Sequence, residues 1–561
     1  MSVNGRALAA IQPDERARRY MIAVPPAIAP LGSFDIALQS ATFSVPPDPR
    51  LLGVRVEGVA LRSIGASFAW PPLAQLLAQA GLLGLTTLFL LRLNLPRSVS
   101  IGSLIIVATA LGAAAWAYPL LALPLFVRLL VAFVLLLALT LALLPWLERA
   151  LAPWMPADLT RALWAIGLLG CVLRLGGALF PTFAAHDVKL NVDRLLTVIN
   201  GTLVLTNESF EFGGGMTVYP PGPYLFLMPG LLFNLAPQLL VQGGIAIFDG
   251  LCAAMVGGLA YVVRKNTGYR IQDSEGQRAA LFAALLYAVV PVPLTSLFYG
   301  HTAQVFGQGL MVPLALALLY ALQRSQRSST TAIYHWQSSN LQSPVVGWLA
   351  VGSFLTVALL SHIGVTILAL AWMGLFWLAL LLRRTINCTT WLQLTATLAA
   401  SAFLGFLFAY SPVVMMHVQQ FGQVSERVTG DAILPSYNLI AKAWWISFQP
   451  LGLALFIAGM LFAWPRHMPP GGGELMATWF GAALFFCVVE LLTGLQVRYL
   501  TFLAPPACIF AALFLDKIAA YGRLPRTAAW ATVALLLAFG ATYWYRGVLG
   551  IEALSMVPVL R

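Results

Sequence analysis

The sequence predicts an all-α polytopic membrane protein of about 13–15 transmembrane helices, with a short N-terminal β-rich extracytoplasmic segment. Three observations predict it. Of 561 residues, 60% are hydrophobic and 9% charged, more apolar side chain than a soluble core hides beneath a polar shell. Apolar runs of about 20 residues recur along most of the length, as a roughly 30 Å hydrocarbon slab requires of helices. Lysines and arginines gather in short clusters between those runs. The net charge of +12 therefore reads as cytoplasmic loops rather than as a nucleic-acid surface.

Residues 1–70 are the β-rich segment, expected to be the end of a β-sandwich. Tyr20, Ile22 and Val24 alternate along one stretch; Phe34, Ile36 and Leu38 alternate beside Asp35 and Gln39; Val54 and Val56 alternate with Arg55 and Glu57. Period two with Pro and Gly punctuation reads as half-buried strands. Three or four strands are few for a complete sandwich. Either the chain begins inside a larger β-domain, or the piece packs on the membrane part. The first 20 residues hold no apolar core long enough for a signal peptide.

Additional transmembrane helices fill residues 71–157, with runs near 72–93, 100–118 and 122–146, and the main membrane domain, 158–561, opens with a run near 158–180. Arg92 and Arg97 mark one connection, and Arg149 and Arg161 another, as cytoplasmic. That sets the N-terminal piece and the interval 181–218 outside. Further runs near 279–298, 302–322, 345–360, 363–382, 391–410, 443–463, 475–493, 499–515 and 528–546 separate basic clusters at 264–278, 324–327, 383–384, 466 and 517–526. With every cluster cytoplasmic, each run is one crossing. The exception is the pair 219–237 and 240–263, where an odd number of crossings is needed. The first run holds Pro220, Pro221, Pro223, Pro229 and Pro237, so it is expected to be partly re-entrant or to lie along the interface.

The interval 181–218 is the longest polar stretch between apolar runs and reads as the catalytic loop of a membrane-embedded enzyme. It opens with His186-Asp187. With Asp193, Glu208, Glu211 and, farther on, Asp249, it collects five of the 20 acidic residues. The topology sets Tyr299-Gly300-His301, Ser361-His362, the interval 411–440 with His417, Glu426, Arg427 and Asp431, and then Gln496, Arg498 and Tyr499 on the same outer face. Singly, each histidine reads as a helix cap or interfacial anchor, and Arg498 as a snorkelling side chain. Together at one depth, such costly ionisable groups point to function.

Other chemistries find no support. Cys171, Cys252, Cys487 and Cys508 sit in apolar runs and Cys388 follows Arg383-Arg384, a pattern of neither disulfides nor zinc ligands. No phosphate-binding GxxxxGK[ST] and no strand-borne glycine fingerprint occurs. A divalent metal is conceivable through Asp187 with His186 or His301, but no helical ligand spacing supports it. No metal and no cofactor are expected.

The chain at this point resembles the GT-C superfamily of membrane glycosyltransferases. The resemblance lies in His186-Asp187 after a span, Tyr219-Pro220-Pro221 opening the next run, the turn Ser361–Gly364, and Arg498-Tyr499 leading into a late span. It covers roughly residues 158–515. It implies transfer of a sugar from a polyprenyl-phosphate carrier to a glycan, lipid or protein acceptor at the extracytoplasmic face of the cell membrane. Asp187, paired with His186, takes the role of general base, and Arg498 that of a cation near the lipid phosphate. Asp193 and Glu208 are substitutes or acceptor contacts; Tyr219, His301, His362 and Tyr499 are substrate contacts. The chain departs from the family in lacking a paired acidic motif in its first outer loop. Two other readings stand beside this one. A transporter or flippase of lipid-linked saccharides would show repeats and midplane charges. A non-catalytic membrane scaffold would depend on no single carboxylate.

Overall fold

The computed structural model describes residues 1–11, 20–28, 36–41, 43–45, 48–52, 71–183, 185–209, 215–265, 273–330, 344–414, 433–463, 471–493 and 498–549. Among them are 13 helices long and apolar enough to cross a bilayer, and the strands are few and short. The chain is an all-α multi-pass membrane protein. It divides into two units, residues 1–84 with 102–127, and residues 85–101 with 128–561.

Near the N-terminus, β1 (Ser2–Val3), β2 (Arg6–Ala7) and β3 (Ile36–Ala37) pair antiparallel in the order β2-β1-β3. Val3 faces Arg6 across Asn4 and Gly5, both at positive φ (49° and 77°), the hairpin turn an Asn-Gly pair favours. β4 (Phe43–Val45) pairs with β5 (Asp48–Leu52). The alternation at Tyr20, Ile22 and Val24 produces no strand. Pro25 and Pro26 follow at once, and without N–H donors they lead into the 3₁₀ turn Pro26–Ile28 instead. The strand expected at Val54 and Val56 lies outside the described residues. α1 (Leu73–Leu93), α2 (Arg97–Ala117) and α3 (Pro119–Leu151) follow the apolar runs.

The second unit continues with α4 (Ala157–Ala178), α5 (Val188–Ile199), the hairpin β6 (Leu205–Ser209) and β7 (Gly215–Tyr219), and α6 (Gly222–Leu227). Then come α7 (Pro237–Lys265), α8 (Asp273–Val289), α9 (Pro291–Tyr299), α10 (Thr302–Gly309), α11 (Met311–Thr330) and α12 (Pro344–Leu359). α13 (Ile363–Arg383), α14 (Cys388–Gly405), α15 (Ile433–Phe462), α16 (Gly472–Thr493), α17 (Tyr499–Ala519) and α18 (Arg523–Val548) complete it. α4, α7 and α8 pack side by side, and α17 packs on α8 and α15. Small residues permit the closest approach, since a Cβ on Gly250 would collide with the backbone of Cys171.

Beside that crossing lies an ion pair closed off from solvent. Arg174 of α4 donates through Nε to Asp249 of α7 and through Nη1 to the Ala288 carbonyl at 2.9 Å. Tyr287 of α8 donates to the same carboxylate at 3.1 Å. Such a pair adds little over well-packed apolar side chains, but removing one partner strands a charge. Asp249→Leu is therefore expected to cost about 3–5 kcal/mol of stability, read as a lowered melting temperature of the purified protein. Arg174→Met/Asp249→Leu should recover most of it. Equal losses in the single and double variants would show that a stranded charge is not the cause.

The run 219–237 does not form a spanning helix. α6 and the 3₁₀ segment Met228–Phe233 hold six residues each, and Asn234 at φ 53° ends them. Together they rise only about 21 Å. α7 is thus the single crossing between the interval 181–218 and the basic cluster that begins at Arg264. At one end of the unit Arg264 and Arg278 lie 3.6 and 3.1 Å from buried Asp516, Arg161 pairs with Glu148 at 2.6 Å, and Arg383 lies 3.7 Å from Glu474. Strict alternation of crossings also needs α12 to cross; its 16 residues rise about 24 Å. In α15, Gln449 leaves helical geometry (φ 58°, ψ 156°) before Pro450. An apolar cavity of about 40 Å³ lies there, lined by Val290, Pro291, Phe448, Gln449, Cys508 and Leu536 among others.

Candidate active site

The interval 181–218 is not a plain loop. In α5 the buried positions Val188, Asn191, Arg194, Leu195 and Val198 recur at helical spacing, while Lys189, Leu190, Asp193 and Leu196 are exposed. Asp187 stands at the N-cap of α5, yet its side chain makes no capping hydrogen bond. That is unusual for an aspartate there. Its backbone is fixed instead: Asp187 N–H donates to the Tyr299 carbonyl at 2.9 Å. Asn191 Nδ2 donates to the Asp187 and Gly300 carbonyls, both at 2.8 Å, and Tyr224 O–H donates to Asn191 Oδ1 at 2.7 Å. Gly300 sits at φ 82°, where a Cβ would come within 3.1 Å of the Asp187 nitrogen. Its lack of a side chain lets the two segments touch.

The free carboxylate of Asp187, 47% exposed, lies with Oδ2 3.6 Å from Nε2 of His301, whose side chain is 8% exposed. The His186 ring stacks on Tyr299, centroids 5.1 Å apart and planes 12° from parallel. Burial holds His301 well below the usual histidine range, and Arg498, His362 and His186 push it the same way. His301 is therefore a neutral imidazole beside an accessible carboxylate.

The turn Ser361–Gly364 abuts the segment that opens with Tyr219. Gly222 N–H donates to the Leu360 carbonyl at 2.9 Å, and Tyr219 meets the His362 ring edge-on at 6.2 Å. His362 Nδ1 accepts from Gly364 N–H at 3.1 Å, so the neutral ring carries its proton on Nε2. Its pKa is pushed down to about 3, first by desolvation and then by Arg498 and Arg194. An unfolded histidine titrates near 6.5, so between those values the unfolded chain binds the extra proton. The stability this neutral ring contributes is complete above about pH 6.5 and is lost as pH falls toward 3. In His362→Gln the decline of melting temperature over that window should flatten. An unchanged slope would contradict it.

Arg498 precedes α17 in a left-handed backbone conformation, φ 56° and ψ 40°. A non-glycine residue there stores some strain, which surrounding contacts must hold in place. α10 holds it in place: Arg498 Nη1 donates to Gln304 Oε1 at 2.9 Å, and Gln308 Nε2 donates to the Arg498 carbonyl at 3.1 Å. A cation at a helix N-terminus works against the helix dipole, an opposition that an anion bound there would relieve. Tyr499 is buried and accepts from Trp444 Nε1 at 3.1 Å. Arg194, also buried, lies over the Tyr219 ring, its guanidinium carbon 3.5 Å from the centroid.

The structure thus brings His186, Asp187, Tyr219, His301, His362 and Arg498 to one end of the unit, opposite the basic clusters, with Tyr499 adjoining. Asp193 is not in this group: it falls on the exposed face of α5. Glu208 pairs with Met216 in the β6–β7 hairpin, and its side chain lies outside the described residues. His417, Glu426, Arg427, Asp431 and Gln496 lie outside them too. Sequence reasoning missed Asn191, Arg194, Tyr224, Gln304 and Gln308. The helical spacing of 188–198 carried a signal for the first two. Two glutamines four apart in an otherwise apolar run carried one for the last two. Among the described residues no group of three or more His, Cys, Asp or Glu is arranged to hold a metal ion.

No family model and no curated protein matches the chain. Solved structures do match in part. The chain is similar to the oligosaccharyltransferase of Archaeoglobus fulgidus in its apo form, at 14% identity and a TM-score of 0.46, over 70% of this chain and 55% of that one. It is similar to ArnT from Cupriavidus metallidurans bound to undecaprenyl phosphate, at 14% identity and a TM-score of 0.38, over 74% of this chain and 77% of that one. The chain spans about 55% of the length of the first of these. At that identity and overlap, neither likeness carries a substrate or a residue's role to this chain.

Proposed function

We propose that the chain is a membrane glycosyltransferase that moves a sugar from a polyprenyl-phosphate carrier to an acceptor hydroxyl at the extracytoplasmic face. Asp187 is the general base and Arg498 the cation on the carrier phosphate. One observation carries the reading: the Asp187 carboxylate is spared from capping α5 and lies beside His301, which burial keeps uncharged. A hydroxyl nucleophile needs such a carboxylate to take its proton as it attacks. The leaving phosphate needs a fixed cation where charge develops. Arg498, anchored by Gln304 and Gln308, suits that need because its planar fork matches phosphate oxygens. His301 and His362, both neutral, orient groups rather than shuttle protons.

A reconstitution experiment separates this reading from the transporter. Purified protein in liposomes, given a polyprenyl-phosphate-linked sugar, should release free polyprenyl phosphate only when a hydroxyl acceptor is supplied. Movement of the intact lipid-linked sugar across the bilayer without cleavage would overturn the enzyme reading.

A further inference from the structure

We infer that Asn191 is a positioning residue for Asp187: its side-chain amide, oriented by Tyr224, ties the residue that carries the base to the turn that carries His301. The inference rests on the general-base reading above and adds to it the residue that sets where the base stands.

Asn191 lies among Val188, Leu195 and Val198 on the buried face of α5, 4% exposed. A buried amide carries a desolvation cost that an apolar side chain would not, unless its hydrogen bonds are met. Here both of its donors are used. Nδ2 donates to the Asp187 carbonyl and to the Gly300 carbonyl, each at 2.8 Å. The first belongs to the residue with the free carboxylate, the second to the residue before His301. One NH2 group thus bridges the two segments whose side chains, Asp187 Oδ2 and His301 Nε2, stand 3.6 Å apart.

The main chain supplies one other bond across this joint, from Asp187 N–H to the Tyr299 carbonyl at 2.9 Å. The Asp187 carbonyl also accepts from Asn191 N–H at 3.0 Å, an ordinary bond within α5. With the helix start held in this way, the carboxylate is not needed as a cap and stays available. Removing the Asn191 amide takes away its bond to Gly300 and leaves the Asp187–Tyr299 bond to hold the joint.

The direction of the amide is dictated from α6. Tyr224, 1% exposed, donates its O–H to Asn191 Oδ1 at 2.7 Å. The Arg194 guanidinium, three residues on along α5, hydrogen-bonds the same Tyr224 oxygen. An arginine only donates, so the phenol accepts from Arg194 and gives its own proton to Asn191. A flipped amide would set Oδ1 against two carbonyl oxygens and leave the Tyr224 proton without that acceptor. The relay therefore runs from Arg194 through Tyr224 to Asn191 and ends on Asp187 and Gly300. Tyr224 also reaches further, since Gly222 of the same helix donates to the Leu360 carbonyl at 2.9 Å, beside Ser361-His362. One connected set of bonds places the start of α5, the turn before His301 and the turn before His362. A satisfied buried network of this kind specifies a single arrangement. A general base needs that, because it must stand within hydrogen-bond reach of its proton, and a misplacement of about 1 Å can cost about 10²-fold in rate.

The test is a double-mutant cycle in the liposome transfer assay, with the polyprenyl-phosphate-linked sugar and hydroxyl acceptor used for wild type. Asn191→Leu, of similar volume, should lower kcat by about 10–100-fold while KM for the lipid-linked sugar stays within about threefold. Tyr224→Phe, which frees the amide to turn, should lower kcat less, again with KM unchanged. In the Asp187→Asn background, Asn191→Leu should lower the remaining transfer by less than about threefold, because the group it positions is already gone. A general loss of fold would cost the same factor in both backgrounds. That equal loss, or a kcat within threefold of wild type in Asn191→Leu, overturns the inference and leaves Asp187 as the base. Near-wild-type transfer in Asp187→Asn removes the base and this inference with it. If Asn191→Leu fails to insert, Tyr224→Phe decides through the same cycle, and equal losses or an unchanged kcat there overturn the inference.

Discussion

Asp187→Asn is expected to slow sugar transfer by about 10²–10⁴-fold, the usual worth of a positioned general base, with membrane insertion and carrier binding retained. The amide is nearly isosteric, and the fold holds this residue through its backbone. Its N–H is fixed on Tyr299 and its carbonyl on Asn191. What changes is the capacity to take a proton. His301 does not replace it, because burial and the arginine field hold its pKa well below the normal range. Asp193 lies on the exposed face of α5. Transfer within threefold of wild type would remove Asp187 from the role.

Arg498 should give the second large effect. Replacing a fixed donor at the site of charge development typically costs about 10²–10³ in kcat, and Arg498→Gln is expected in that range, with weaker carrier binding. The backbone offers a way to separate chemistry from strain. At φ 56° any side chain carries a penalty that glycine avoids. Arg498→Gly should therefore be more stable than Arg498→Gln and equally slow. If Arg498→Gly retained near-wild-type transfer, the guanidinium would have no part in the reaction.

Much of this architecture was legible in the chain because the bilayer imposes a strong rule. Runs of about 20 apolar residues become helices since no other backbone is satisfied in hydrocarbon. The prolines between 220 and 237 announced a segment that stops at α6 and a short 3₁₀ turn. His186, Asp187, His301, His362 and Arg498 were legible as neighbours because alternating crossings bring their turns to one face. Arg194 and Asn191 were not, since a polar interval hides a short amphipathic helix unless its period is counted. Asp249 illustrates the opposite failure. Grouped by sequence with the acidic residues of the outer interval, it belongs to a buried pair on α7 with Arg174. Period-two alternation also overstated the strand content near Tyr20, where two prolines end pairing. The left-handed turn at Arg498 had no residue-type signal at all, because its conformation is set by contacts with α10, 190 and more residues earlier.

The account stands on the site facing the extracytoplasmic side, and native chemistry supplies a reporter for the other side. Cys388 is the exposed cysteine at the start of α14, next to Arg383 and Arg384, while Cys171, Cys252 and Cys508 are buried. A cysteine placed by Lys189→Cys stands on the exposed face of α5, two residues from Asp187. A membrane-impermeant thiol reagent should label position 189 in intact cells and Cys388 only after permeabilisation. Labelling of both from the same side, or of Cys388 alone from outside, would contradict the account.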